Sequence, residues 1–296
     1  MAELAALSWN PVSDFEQLTE FPFMVNALQA GTIVAVMAGA IGWFMVLRRQ
    51  TFAGHTLSVI AFPGAAGATL AGLPLALGYF GACGAGALLL AAVSGSGRVA
   101  RSGESAAIGT VQAFGLGLGF LFVNLYSGQL ASLESLLFGT FLGITTGQVA
   151  TLLWIALAAL LALVVIGRPL LFASVDAEVA RAAGVPTRAL GVVFLLLLGL
   201  AVAATAEITG ALLVFALLVT PAATAQQITA RPGPGLVLSV ALALAVTWVG
   251  LTIAYFSPYP VGFWVTSLSF GLFVAVRLCR VVIQRRPIAV PAGEPA

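Results

Sequence analysis

The sequence predicts an all-α, polytopic integral membrane protein with eight to nine transmembrane helices, and three observations predict it. The first is composition. Of 296 residues, 61% are hydrophobic and only 7% charged, against about 25% charged in a soluble domain. The second is distribution. Charge is absent from long runs such as Ala27–Leu47, Leu152–Ile166 and Leu190–Ala206, close to the roughly 20 apolar residues that cross a bilayer as a helix. In hydrocarbon every backbone polar group needs an internal partner, so such runs are helices or barrel strands. Barrel strands alternate polar and apolar residues, and these runs do not. The third is the placement of arginine, considered below.

In chain order the apolar segments are 24–47, 56–73, 76–96, 107–126, 148–166, 189–207, 210–228, 235–256 and 262–279. Pro63-Gly64 interrupts the second and Thr220-Pro221 the seventh, which leaves the count at eight or nine. The stretch Leu136–Ile144 is too short to cross and reads as an interfacial or re-entrant piece. Residues 1–20 hold Glu3, Asp14, Glu16 and Glu20 and no basic residue, unlike a secretory signal, which opens on positive charge. They read as a short extracytoplasmic lead-in, and residues 281–296 as a cytoplasmic tail. Gly78, Ala82 and Gly86 form a small-residue stripe suited to close helix packing.

All the basic residues are arginine. Arg48 and Arg49 close the first segment. Arg98 and Arg101 follow the third; Arg168, Arg181 and Arg188 the fifth; Arg231 the seventh. Arg277, Arg280, Arg285 and Arg286 close the last. With the N-terminus outside and nine crossings, every cluster falls on the cytoplasmic side, as the positive-inside rule requires. The C-terminus is then inside. A net charge of +2 offers no basic patch for nucleic acid. A lysine-free chain has no GxxxxGK[ST] phosphate loop, and Gly115, Gly117 and Gly119 lie in an apolar run with no strand before them. Cys83 and Cys279 read as buried thiols.

Residues 176–188 do not read as a plain loop. Asp176 suits an N-cap and Glu178 the first turn of a helix, where the dipole favours an acid. Gly184 suits the left-handed position past the helix end, and Pro186 prevents continuation. About two turns of helix are too few to stand alone, so this segment docks on lipid or on a protein partner.

The spacing of Asp176, Glu178, Ala180 and Gly184 resembles the coupling loop of ABC importer permeases. More of the chain is similar to the zinc/manganese-type permeases of the ABC-3 family. Phe21–Arg49 ends Gly-Trp-Phe-Met-Val-Leu-Arg-Arg. In Gly54–Gly64, Leu57-Ser58 and Pro63-Gly64 match the family's GDALSHAxLPG. Leu136-Leu137-Phe138-Gly139 is a third match, and Gly210–Ala225 (GALLVFALLVTPAATA) is nearly literal. Together they cover residues 21–280. The resemblance implies an importer-type ABC permease that is not itself an enzyme, working in the cytoplasmic membrane of a prokaryote as a homodimer or paired permease. Cytoplasmic ATPase subunits would drive it against Asp176, Glu178, Ala180 and Gly184. An extracytoplasmic metal-binding protein would feed it, and no cofactor would stay bound. Zn²⁺ or Mn²⁺ would be the substrate, moved by alternating access.

The chain also departs from that pattern. The family's Asp and His, four residues apart on one helix face, are here His55 and Val59. No acid precedes Pro260-Val261-Gly262. His55, the only histidine, fits a hydrogen-bonded structural residue as well as a metal ligand. Ser58, Pro63, Thr220 and Pro221 flank the candidate translocation path, because transporters place sites at interrupted helices; a simple kink explains those prolines equally well. Glu207 is the acid within an apolar run and reads as an outer interfacial residue before a ligand. A permease for a metal chelate or another small solute stays open. A secondary transporter or channel is disfavoured by the capped segment at 176–184. A membrane-embedded enzyme finds no catalytic constellation in the spans.

Overall fold

The computed structural model describes residues 17–95, 101–126, 139 and 143–284. Most of the N-terminal lead-in, Arg98, Glu134, Leu136-Leu137-Phe138 and the tail beyond Gln284 lie outside the described residues. Ten helices make up the described architecture: α1 (Pro22–Leu47), α2 (Thr51–Leu70), α3 (Leu75–Gly95), α4 (Arg101–Leu125), α5 (Thr146–Val175), α6 (Ala177–Ala182), α7 (Thr187–Thr209), α8 (Ala211–Ile228), α9 (Pro232–Tyr255) and α10 (Val261–Gln284).

The ends of these helices follow from sequence. Pro22 and Pro232 start α1 and α9, where proline's missing N–H costs nothing. A capping box starts α5: the Thr145 hydroxyl accepts from the Gln148 N–H at 3.3 Å, and Gln148 Oε1 accepts from the Thr145 N–H at 2.9 Å. Gly210, at φ 74°, ends α7 and starts α8. A left-handed residue there costs glycine little, and it turns the chain back without a loop.

Among the described residues, seven helices are long and apolar enough to cross a membrane: α1, α3, α4, α5, α7, α9 and α10. Outside that set stand α2 and α8, the latter apolar over Leu213–Ile228 among the described residues; these are the segments in which Pro63 and Pro221 predict interruptions. Neither proline breaks its helix; both sit inside continuous turns. Neighbouring helices in a membrane bundle tolerate the freed carbonyl. Both α2 and α8 pack against each other and against α7, so protein replaces lipid on part of their surfaces. Helix α5 also differs from expectation. It runs on to Val175 through Arg168 and Pro169, because hydropathy marks where lipid ends rather than where the helix does.

The interior is built on α1, α7 and α8, each of which packs on several others. Their buried residues are small or aliphatic, such as Ala35, Ala38, Ile41, Ala201, Val202, Val214 and Leu217. The outer helices reverse the usual pattern. Val164, Val165 and Trp154 on α5, and Phe270 and Leu278 on α10, are exposed. Contiguous apolar exposure on this scale marks a surface solvated by lipid. The small-residue stripe packs α3 on α2: Gly78 lies against the Gly64 backbone, Ala82 against Gly64, and Gly86 against Leu57 and Ile60. On α4, Gly119 lies against the Phe62 ring and Gly115 faces Ile60 and Pro63, whereas Gly117 meets nothing.

Candidate functional site

His55 sits one turn into α2. Its ring meets Phe215 of α8 at 4.7 Å between centroids and an interplanar angle of 60°. Its Nδ1 is buried and has no hydrogen-bond partner among the described residues. An imidazole nitrogen left without a partner inside a bundle is costly unless something else satisfies it. Ser58 is buried, and its hydroxyl donates to the His55 carbonyl at 2.7 Å. That bond uses its proton inside the helix and leaves only lone pairs. Pro63 lies two turns further along the same helix. Thr220 and Pro221 belong to α8, where the Thr220 carbonyl accepts from the Thr224 hydroxyl at 2.7 Å. The candidate path residues His55, Ser58, Pro63, Thr220 and Pro221 therefore fall on two helices that touch.

Glu207 is placed elsewhere. It lines a cavity of about 400 Å³ with Ala76, Thr145, Gln148, Thr151 and Leu152, between α3, α5 and α7. His55 is not part of that wall. Among the described residues no group of three or more His, Cys, Asp or Glu side chains could hold a metal ion. His55 is the one imidazole of the chain, and no second such group stands beside it among the described residues.

At the other candidate locus, α6 bridges α5 and α7. The Asp176 carboxylate accepts from the Glu178 and Val179 N–H groups, each at 3.0 Å. Gly184 takes φ 83°, the Val185 N–H donates to the Ala180 carbonyl at 2.9 Å, and the Gly184 N–H donates to the Arg181 carbonyl at 3.0 Å. This is the double closure that a left-handed glycine permits at a helix end. Asp176, Glu178 and Gly184 are exposed, whereas Ala180 is fully buried. Ala180 thus anchors the turn inward. Val175 and Val179 are the apolar side chains left outward beside the two acids, at 74% and 53% exposed. Sequence reasoning passed over both valines, since apolar residues in an apolar chain carry no contrast. It also missed Phe215, although that residue lies within the Gly210–Ala225 stretch.

A bundle of apolar helices, lipid-facing on its rim, is the architecture of a polytopic membrane protein. The chain matches the ABC 3 transport family over residues 20–280. It belongs to that family. The manganese transport system membrane protein MntC of Halalkalibacterium halodurans is 31% identical over 73% of each chain. The chelated iron transport system membrane protein YfeC of Yersinia pestis is 28% identical over 86% of this chain and 85% of its own. Among solved structures, PsaBC from Streptococcus pneumoniae in complex with Fab superimposes with a TM-score of 0.79 at 26% identity, covering 90% of this chain and 94% of that one.

Proposed function

We propose that the chain is the membrane-spanning permease subunit of an ABC importer for a divalent metal cation, Zn²⁺ or Mn²⁺, worked by ATP-driven alternating access. The observation that carries this reading is the family match across residues 20–280, supported by a relative named for manganese transport. In this reading α2 and α8 also cross the membrane, giving nine crossings, with the N-terminus outside and the arginine-bearing ends in the cytoplasm. Cytoplasmic ATPase subunits bind at α6 through Asp176, Glu178 and the neighbouring valines. An extracytoplasmic metal-binding protein delivers the ion, and two permease chains pair. His55, beside Phe215, is the ion's contact along the path, and Glu207 is the outer carboxylate that draws cations in. One unpartnered imidazole holds an ion weakly, which suits a site that must also release it.

A second reading, import of a chelated metal, is favoured by the lack of a ligand cluster among the described residues and by the relative named for chelated iron. Uptake of Zn²⁺, Mn²⁺ and Fe²⁺, free and chelated, in a strain stripped of its own importers separates the two. Free-ion accumulation that needs both this chain and its ATPase supports the first. Uptake confined to a chelate supports the second, and accumulation without any ATPase overturns both.

A further inference from the structure

Arg48 caps the end of α1 and reaches three other parts of the bundle. Its Nη1 donates to Ser174 Oγ at 3.2 Å, and its Nε to Gln50 Oε1 at 3.4 Å. Its guanidinium carbon lies 5.4 Å from the centroid of the Phe194 ring. Ser174 stands two residues before Asp176, near the end of α5; Phe194 is two turns into α7. Both arms that hold α6 therefore meet at one half-buried guanidinium. Gly191, one turn before Phe194, lines the same spot: a β-carbon there would stand in ordinary contact with Nη2, at 3.8 Å.

On its other side Arg48 belongs to the tight corner between α1 and α2. Arg49 holds φ 57°, a left-handed conformation that a non-glycine residue keeps only where its surroundings impose it. The Gln50 N–H donates to the Met45 carbonyl at 2.9 Å, and the Gly54 N–H to the Gln50 carbonyl at 3.0 Å. Gly54 backs onto the Met45 sulfur with no room for a β-carbon, and His55 is the next residue. The corner is thus bonded and packed directly up to the residue before His55.

We infer that Arg48 is a positioning residue that transmits displacement of α6 to the α1–α2 corner and thereby to His55. The inference rests on the importer reading. Coupling between distant sites needs contiguous contacts with defined geometry. The planar guanidinium supplies them, since it can donate along its edge while its face lies on an aromatic ring; an ammonium cannot do both. All three partners are neutral, so charge alone does not substitute.

The test uses the permease with its ATPase and binding protein in proteoliposomes. It measures ion uptake and ATP hydrolysis together, and it tracks the distance between spin labels at Ala182→Cys, exposed at the end of α6, and Phe52→Cys in a Cys279→Ser background. Arg48→Ala and Arg48→Lys are each expected to hydrolyse ATP while moving fewer ions, raising the ATP consumed per ion about tenfold, within the usual range for coupling between sites. The label distance is expected to stay fixed on nucleotide binding in the unsubstituted protein and to shift in the Arg48 variants. The milder pair Ser174→Ala and Phe194→Leu is expected to act the same way and decides the matter if Arg48→Ala does not assemble. Parallel loss of uptake and hydrolysis, or a label distance that responds identically with and without Arg48, overturns the inference. The distance readout needs no transported ion, so a complex that carries no metal refutes the importer reading while α6-to-α2 coupling is still judged.

Discussion

Gly78→Ala and Gly81→Ala add the same methyl group to the same helix, three residues apart, and the structure gives them opposite signs. At Gly78 the new carbon would collide with the Gly64 carbonyl oxygen and stand 2.7 Å from Ala68 Cβ. The obstacle is backbone, which cannot rotate away. Overpacking of this kind costs about 1–3 kcal/mol, while replacing glycine inside a helix returns about 1 kcal/mol. Rigidity places the cost in the upper part of its range, so the net is a loss of about 1–2 kcal/mol. At Gly81 nothing lies within 4 Å, and only the gain of up to about 1 kcal/mol remains. At about 2–4 °C per kcal/mol for a chain of this order of size, Gly78→Ala should lower the melting temperature by several degrees and Gly81→Ala should raise it slightly. Cys83 reports the transition: it is fully buried and free, so a thiol-reactive fluorophore labels it on unfolding in detergent, in a Cys279→Ser background. Shifts of the same sign in both variants would refute the claim that α2 and α3 are held by backbone approach at Gly64 and Gly78.

The other expectations concern transport. His55→Ala should reduce free-ion uptake at least severalfold or change the preference among Zn²⁺, Mn²⁺ and Fe²⁺; unchanged uptake and selectivity would remove it from the path. Ser58→Ala should leave uptake within about twofold of the parent, because its hydroxyl proton is bonded within its own helix and a local bond of this kind contributes little; a large loss would mean its lone pairs face the ion. Glu207→Gln, isosteric but uncharged, should raise the external ion concentration needed for half-maximal uptake and leave the maximal rate alone, and a normal concentration dependence dismisses the outer-carboxylate role. Asp176→Ala loses both N-cap bonds, about 1 kcal/mol, and should weaken recovery of the ATPase with the purified permease. Asp176→Asn, which keeps the acceptor oxygen, should recover most of it.

Much of the helical architecture is legible because lipid imposes a simple rule on sequence: where no charge can be carried, none appears. Apolarity is weaker in α2 for a physical reason. Once a helix is wrapped by other helices, lipid no longer judges its composition, and Thr51, His55, Thr56 and Ser58 can sit in one segment. Pro63 and Pro221 read as breaks for the same cause, since sequence does not reveal the neighbours that accommodate them. The ends of α6 are legible to the residue, because Asp176 and Gly184 act through local backbone geometry. What Ala180 faces was not, for two turns of helix carry too little periodicity to define an inner side. Arg48 looked like one more cytoplasmic charge; that it reaches Ser174 and Phe194 depends on contacts across more than a hundred residues of chain.

The position of His55 bears on which ion the path accepts. Neutral imidazole is a borderline donor that suits zinc and iron, whereas manganese is better matched by carboxylate, carbonyl and water oxygen. Where the family pattern sets an acid, this chain sets its histidine, and the carboxylate of Glu207 lies instead at the α3–α5–α7 cavity. Substituting Val59→His restores the i+4 partner on the same face of α2, next to an imidazole whose Nδ1 has no protein partner. If His55 meets the ion, two imidazoles one turn apart should bind zinc far more tightly, slowing its release and shifting net uptake toward manganese. The readout is competition between the two ions in the same proteoliposomes. Unaltered competition would mean that α2 presents neither side chain to the transported ion.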